Sequence, residues 1–222
     1  MLEIGRIYSI AELCSLLGAN GKQGLTRKMR GYGITYHTEG RGEKLTFTIT
    51  DIEDPFKLFA IMELNFSANT DFRKLRLFYY YYFNDELFMT MPDEVKENML
   101  TEKGNRITRQ TISSYVAKLE AKNLIHRESG NYIYYFALKN KQRFVERAEY
   151  TKAWKEYWKV KSECGSADEA IFTMIHNYGG VARKQQIPDV NGIYRDTIGK
   201  MLSFIQVSME KELIGREIES TN

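Results

Sequence analysis

Apolar residues recur at helical spacing through most of this chain, and two short regions switch to strict alternation. The clearest helical stretch is residues 108–125, TRQTISSYVAKLEAKNLI. Ile112, Val116 and Leu119 stand at i, i+4 and i+7 and predict one buried stripe. Thr108 can cap the first turn, and Asn123 tolerates left-handed backbone where the helix has to stop. Arg109, Gln110, Ser113, Ser114 and Lys118 fall off that stripe as a polar face. The next residues, HRESGNYIYYFAL, alternate and predict strand, turn and strand over 126–138, with Ser129, Gly130 and Asn131 at the tip.

In chain order, Ser9 and Glu12 form a capping box for a helix over 9–18, with Ile10, Leu13 and Leu17 inward and Gly18 as its stop. A second short helix is expected over 22–30, with Leu25 and Met29 as its apolar members. Residues 34–38 and 44–49 alternate as strands around a glycine-rich tip at 39–43. Asp54-Pro55 predicts a linker helix over 55–65 with Phe56, Phe59, Ala60 and Leu64 inward. Residues 71–83 predict a helix apolar on most sides. Its four tyrosines, 79–82, point in different directions and are expected mostly in the core. Residues 92–100 predict an acidic helix (Asp93, Glu94, Glu97), and 101–105 a turn. Further on, helices are expected over 144–161 (stripe Phe144, Ala148, Thr151, Trp154, Trp158, broadened by Tyr157), from a capping box at Ser166 and Glu169 to Tyr178, and over 194–213. Residues 181–193, containing Arg183-Lys184-Gln185-Gln186, are expected as a loop.

The stretch Thr111-Ile112-Ser113-Ser114 through Leu119-Glu120 to Leu124-Ile125, with its alternating sequel, resembles the recognition helix and wing of a winged helix-turn-helix of the MarR-like or ArsR-like kind. The resemblance covers residues 72–138. It implies that Arg109 and Gln110 reach base edges from the start of the helix, since Arg pairs with guanine and Gln with adenine. Ser113, Ser114 and Lys118 would follow as base or phosphate contacts, and Arg127 with the 129–131 tip would lie over the DNA backbone. Ser9-Ile10-Ala11-Glu12-Leu13 through Leu17-Gly18 is similar to the first helix of MerR-like or excisionase-like domains, although the second helix lacks their T-L-R-x-W signature.

Charge sharpens that picture locally. The whole chain carries a formal net charge of only +3. Residues 20–44 nevertheless hold Lys22, Arg27, Lys28, Arg30, Arg41 and Lys44 against Glu39 and Glu43. Lys22, Gln23, Thr26, Arg27 and Arg30 on the second helix, with Arg41 and Lys44 at the hairpin, are therefore the expected phosphate contacts of a first module.

Candidate chemistry is sparse. Three histidines (His37, His126, His176) and two distant cysteines (Cys14, Cys164) have no zinc spacing, and the thiols are expected reduced. No phosphate-binding glycine loop occurs, and Glu210, Glu212, Glu217 and Glu219 read as a solvated acidic face. No enzyme, cofactor or metal is expected. With no apolar run near roughly 18 residues, a cytoplasmic protein without a membrane segment is expected.

The expected architecture is mainly α with small β-hairpin wings (α+β). It comprises a winged-helix-like module over 1–66, a central winged helix-turn-helix over 67–143 and a helical region over 144–222 that serves oligomerisation or is a degenerate third helix-turn-helix. The expected function is sequence-specific binding of double-stranded DNA by a transcriptional repressor of a phage or mobile element. Two alternatives stand beside it: an initiator that binds origin repeats, and an inhibitor or adaptor that grips a nucleic-acid enzyme. A homodimer through 144–161 or the C-terminal helices is the expected self-association.

Overall fold

The computed structural model describes residues 2–139 and 141–220, with Glu43 and residues 215–220 described by backbone alone. The side chains of Glu217 and Glu219 thus lie outside the described residues. The chain is an α+β protein with two small antiparallel sheets. It folds as two compact units, one joining the residues up to Tyr80 to those from Ile193 onward, the other spanning Tyr81–Gly192. Residues 144–222, expected as one region, are divided between them.

In the first unit, strand β1 (Ile7–Ser9) leads straight into helix α1 (Ile10–Leu17). The capping box is formed: the Glu12 N–H donates to Ser9 Oγ at 3.2 Å, and the Ser9 N–H donates to the Glu12 carboxylate at 2.7 Å. Helix α2 (Gly21–Gly31) and strands β2 (Ile34–Glu39) and β3 (Thr46–Ile52) follow, with sheet order β1-β3-β2. Leu13, Leu25, Met29, Phe47 and Ile49 bring both helices and the sheet into one buried cluster. The three-residue β1 is too short to show alternation, so it had no signature in the sequence.

Helices α3 (Pro55–Met62) and α10 (Arg195–Ser220) complete this unit, and the boundary with the second falls inside α4 (Phe72–Asn84). A buried polar cluster ties them together. The Asp54 carboxylate caps α3 through the Lys57 N–H at 2.9 Å and accepts Ser208 Oγ at 2.7 Å and the Arg76 guanidinium at 3.2 Å. Arg76, 6% exposed, also donates to Glu212 at 2.6 Å, and Ser208 Oγ accepts the Phe56 N–H at 3.1 Å. Nearby, Lys211 reaches Asp51 at 2.6 Å and the Ile52 carbonyl at 2.7 Å. Tyr79 packs edge-on against Phe56 and Phe66, as a core tyrosine should, while Tyr80 is 41% exposed.

The second unit contains α5 (Glu86–Thr90), α6 (Asp93–Glu102), α7 (Arg109–Ala121), β4 (Ile125–Leu138), β5 (Lys141–Val145), α8 (Arg147–Cys164), α9 (Ala167–Tyr178) and β6 (Val181–Val190). Its sheet has the order β5-β4-β6. Three expectations are corrected here. First, residues 181–190 are a strand and not a loop. Pro188 and the polar run Arg183–Gln186 conceal it, because neither suits an isolated strand, yet the long β4 supplies a full antiparallel partner. Second, residues 126–138 do not fold back as a hairpin. Arg127 pairs with Pro188 and Tyr132 with Gln186, five positions on β4 against two on β6, so residues 128–131 bulge from one continuous strand. Chain reversal occurs instead between Leu138 and Lys141, with Lys139 at φ 52°.

Third, residue 144 belongs to β5, and α8 buries only part of the expected stripe, its Trp154 and Tyr157 side. Ala153 and Tyr157, with Trp154 and Tyr150 beside them, pack with Phe136, Ala170 and Met174. Ala148, Thr151 and Trp158 are exposed. The apolar residues of α8 surround more than half of the helix, so the partner α9 decided which arc was covered. Gly180, entering β6, leaves no room for a side chain, since a Cβ there would lie 2.9 Å from the Ala137 backbone of β4.

The Arg76 cluster makes a direct stability prediction. Arg76→Met leaves the Asp54 carboxylate in a mostly buried setting without its cation, while Glu212 keeps Arg73 at 3.4 Å, and should lower unfolding free energy by about 3 kcal/mol. Urea denaturation checks this; an unchanged midpoint would mean that the cluster does not hold α10 in place.

Candidate nucleic-acid interface

The first unit presents its cations on α2 and at the β2–β3 turn. Leu25 and Met29, both fully buried, pin one side of α2 to the core. Their i, i+4 spacing leaves Lys22, Gln23, Arg27 and Arg30 exposed on the other. Thr26 is half-buried and spends its hydroxyl on the Lys22 carbonyl at 3.0 Å, so it is a poorer contact than its neighbours. Lys28 leaves the basic group altogether. Its ammonium donates to the Leu17 and Gly18 carbonyls at 2.8 and 2.6 Å, satisfying the exposed end of α1.

Arg41 and Lys44 flank a tight turn made by Gly40 at φ +83°, where a Cβ would sit 2.3 Å from the Lys44 carbonyl. Only glycine fits there, which keeps both cations at the tip. Lys22, Arg27, Arg30, Arg41 and Lys44 are all exposed, and none has an ion-pair partner among the described residues. Five exposed cations without an ion-pair partner among the described residues give this unit the stronger electrostatic claim on a polyanion.

The second unit differs. Thr108 caps α7, accepting the Thr111 N–H, and Ile112, Tyr115, Val116 and Leu119 are buried. Gln110, Ser113 and Ser114 are exposed, and Lys118 is half-buried with an interaction of its own. The two arginines of this face are not free. Arg109 binds the Glu94 carboxylate, which Arg183 of β6 also binds, and the Arg109 N–H donates to Glu97 at 3.2 Å. Arg127 pairs with Glu120 at 2.5 Å. Glu94, Glu97, Glu120 and Arg183 are thus site residues that helical periodicity could not single out. The acidity of α6 was the available signal, and its partners lie across the fold.

Gln185 of β6 joins the same junction, accepting the Asp93 N–H at 3.3 Å and donating to the Met91 carbonyl at 3.3 Å. Beneath it, Lys96 is buried, 1% exposed, with its ammonium on the Met91 carbonyl at 2.7 Å and near Asp93 at 3.4 Å. It also lies 5.4 Å from the Tyr82 ring centroid. Burial lowers Lys96 from the ordinary lysine value to about 8, with Asp93 opposing the shift, and burial raises the Tyr82 phenol. Two acidic residues of α6, Asp93 and Glu94, are therefore paired with cations inside the fold, and Glu97 accepts the Arg109 N–H. Among the described residues, no cluster of His, Cys, Asp and Glu is placed to hold a metal ion.

Lys96 yields a pH prediction. Its folded pKa lies below its unfolded one, so the unfolded chain holds this proton more tightly. The resulting destabilisation is complete below pH 8 and is relieved as pH rises towards 10.5. Lys96→Met should therefore be more stable relative to wild type at pH 7 than at pH 10, by about 2 kcal/mol in urea unfolding. A difference that stays flat with pH would show that the ammonium is solvated. No protein-family model, curated protein or solved structure matches this chain.

Proposed function

We propose that this chain is a sequence-specific double-stranded DNA-binding protein that acts as a transcriptional repressor. The observation that carries the reading is the set of exposed cations on α2 and the β2–β3 tip, Lys22, Arg27, Arg30, Arg41 and Lys44, none of them ion-paired among the described residues. Cations at a helix and a neighbouring hairpin are what contact with a DNA backbone requires. The order strand, helix, helix, hairpin in the first unit, and helix α6, turn, helix α7 and strand in the second, supports a winged-helix reading of both. In the second unit, Gln110, Ser113 and Ser114 offer hydrogen-bonding groups to base edges without added charge. Phosphates bind mainly through the first unit and bases are read through the second.

A second reading has its own support. Arg109 and Arg127 are each neutralised by a carboxylate, a state suited to docking against protein as much as to DNA. On that reading the chain is an adaptor or inhibitor of a nucleic-acid enzyme.

Selection of a preferred sequence from a random duplex pool, followed by salt titration, separates the two. Replacing Arg27 and Arg30 by Ala should reduce the slope of log affinity against log salt by about 2 and weaken all duplexes alike. Gln110→Ala should cost roughly tenfold on the selected site and relax preference at one base pair. Equal, weak binding to every duplex would sink the DNA reading.

A further inference from the structure

We propose that the outer face of α8, in the second unit, binds single-stranded nucleic acid, with Trp158 as the stacking surface and Arg147, Lys152, Lys155 and Lys159 as the phosphate track. The proposal goes beyond the duplex reading and does not depend on it. At about 100° per residue, with Arg147 at zero, Trp158 falls near 20°, Lys155 near 80°, Lys159 near 120° and Lys152 near 140°. The buried residues Ala153 and Tyr157 fall near 240° and 280°, on the far side. The carboxylates of Glu149, Glu156 and Glu163 fall together between about 160° and 200°, the flank away from Trp158. Two of them are engaged elsewhere: Glu149 with Arg143 at 2.8 Å, and Glu156 with the Tyr178 hydroxyl.

The sector from Arg147 to Lys152 therefore holds four exposed cations and an exposed indole, with no carboxylate among them. It extends over about 18 Å of helix axis, enough to follow several phosphates. Trp158 is 57% exposed, a large apolar area to leave in water at the edge of a basic face. The Lys161 ammonium lies over one face of the ring, 4.9 Å from its centroid, so a stacking base takes the other face with this positive charge behind it. A base can stack on such a ring only if it is free of its own partner strand, which selects a single strand over a duplex. Pairing of this face with a second copy would set four cations against four, which argues against the homodimer expected through 144–161.

Intrinsic fluorescence tests the proposal, because the chain has two tryptophans. Trp154 belongs to the core of α8 and α9, and its indole nitrogen is buried. In a Trp154→Phe protein, Trp158 is the sole indole, and a thymidine oligonucleotide of about 12 nucleotides should quench it on binding. Trp158→Ala should weaken that binding roughly tenfold, with partial recovery in Trp158→Phe. Lys155→Glu with Lys159→Glu should weaken it at least as much, with circular dichroism confirming an intact fold. Arg27→Ala with Arg30→Ala should leave it unchanged while lowering duplex affinity, so failure of one reading is distinguishable from failure of the other. An unquenched Trp158, or equal affinity for blunt duplex or anionic phosphatidylglycerol vesicles, would overturn the proposal.

Discussion

The Arg76 guanidinium is the group on which the first unit depends. It joins two carboxylates that lie 22 residues before it and 136 residues after it in the chain. Through Asp54 it is linked to the cap of α3, and through Glu212 to α10, so one buried cation makes a single body from distant segments. Asp54 is occupied on both oxygens, by the Lys57 N–H, Ser208 and Arg76. A burial of this kind is tolerable only because each ion has close partners, and it favours one placement of α10 over other placements of an amphipathic helix. The same closure backs the sheet and helices that carry the exposed cations of α2.

The second unit uses its charges differently. Glu94 accepts both Arg109 and Arg183, drawing the start of α7 and the strand β6 to one carboxylate. Lys96 fills the space beneath, and Gln185 closes the start of α6. Electrostatics here is a device for joining α6, α7 and β6. The consequence is that Arg109, at the start of α7, is already occupied. Charge available to an external partner lies instead on α2, at the first hairpin and along α8.

Local signals were read well. The capping box at Ser9, the side-chain caps at Ser166 and Thr108, and the buried stripe Ile112, Val116 and Leu119 all follow from short-range hydrogen bonding and helical period, which need no tertiary partner. What failed involved distant partners. Strand β6 has a proline and four polar residues in a row, and it becomes a strand only because β4 offers a ladder. The bulge at 128–131 imitates a turn, since its Ser-Gly-Asn sequence suits both. Lys28 looked like one more member of a basic cluster until the end of α1 claimed it. On α8, apolar residues around much of the circumference left two choices of buried face, and α9 selected one.

The sequence by itself determined where α1, α7 and α9 begin, which side of α2 and α7 turns inward, and that positive charge concentrates in residues 20–44. These depend on interactions among residues a few positions apart. The tertiary structure alone decided which charges remain available: Arg109, Arg127 and Lys28 are consumed within the fold, whereas Arg27, Arg30 and Lys155 are not. A charged side chain is committed or free according to what lies within about 4 Å of it. That neighbour is usually brought from elsewhere in the chain, so only the folded arrangement assigns it.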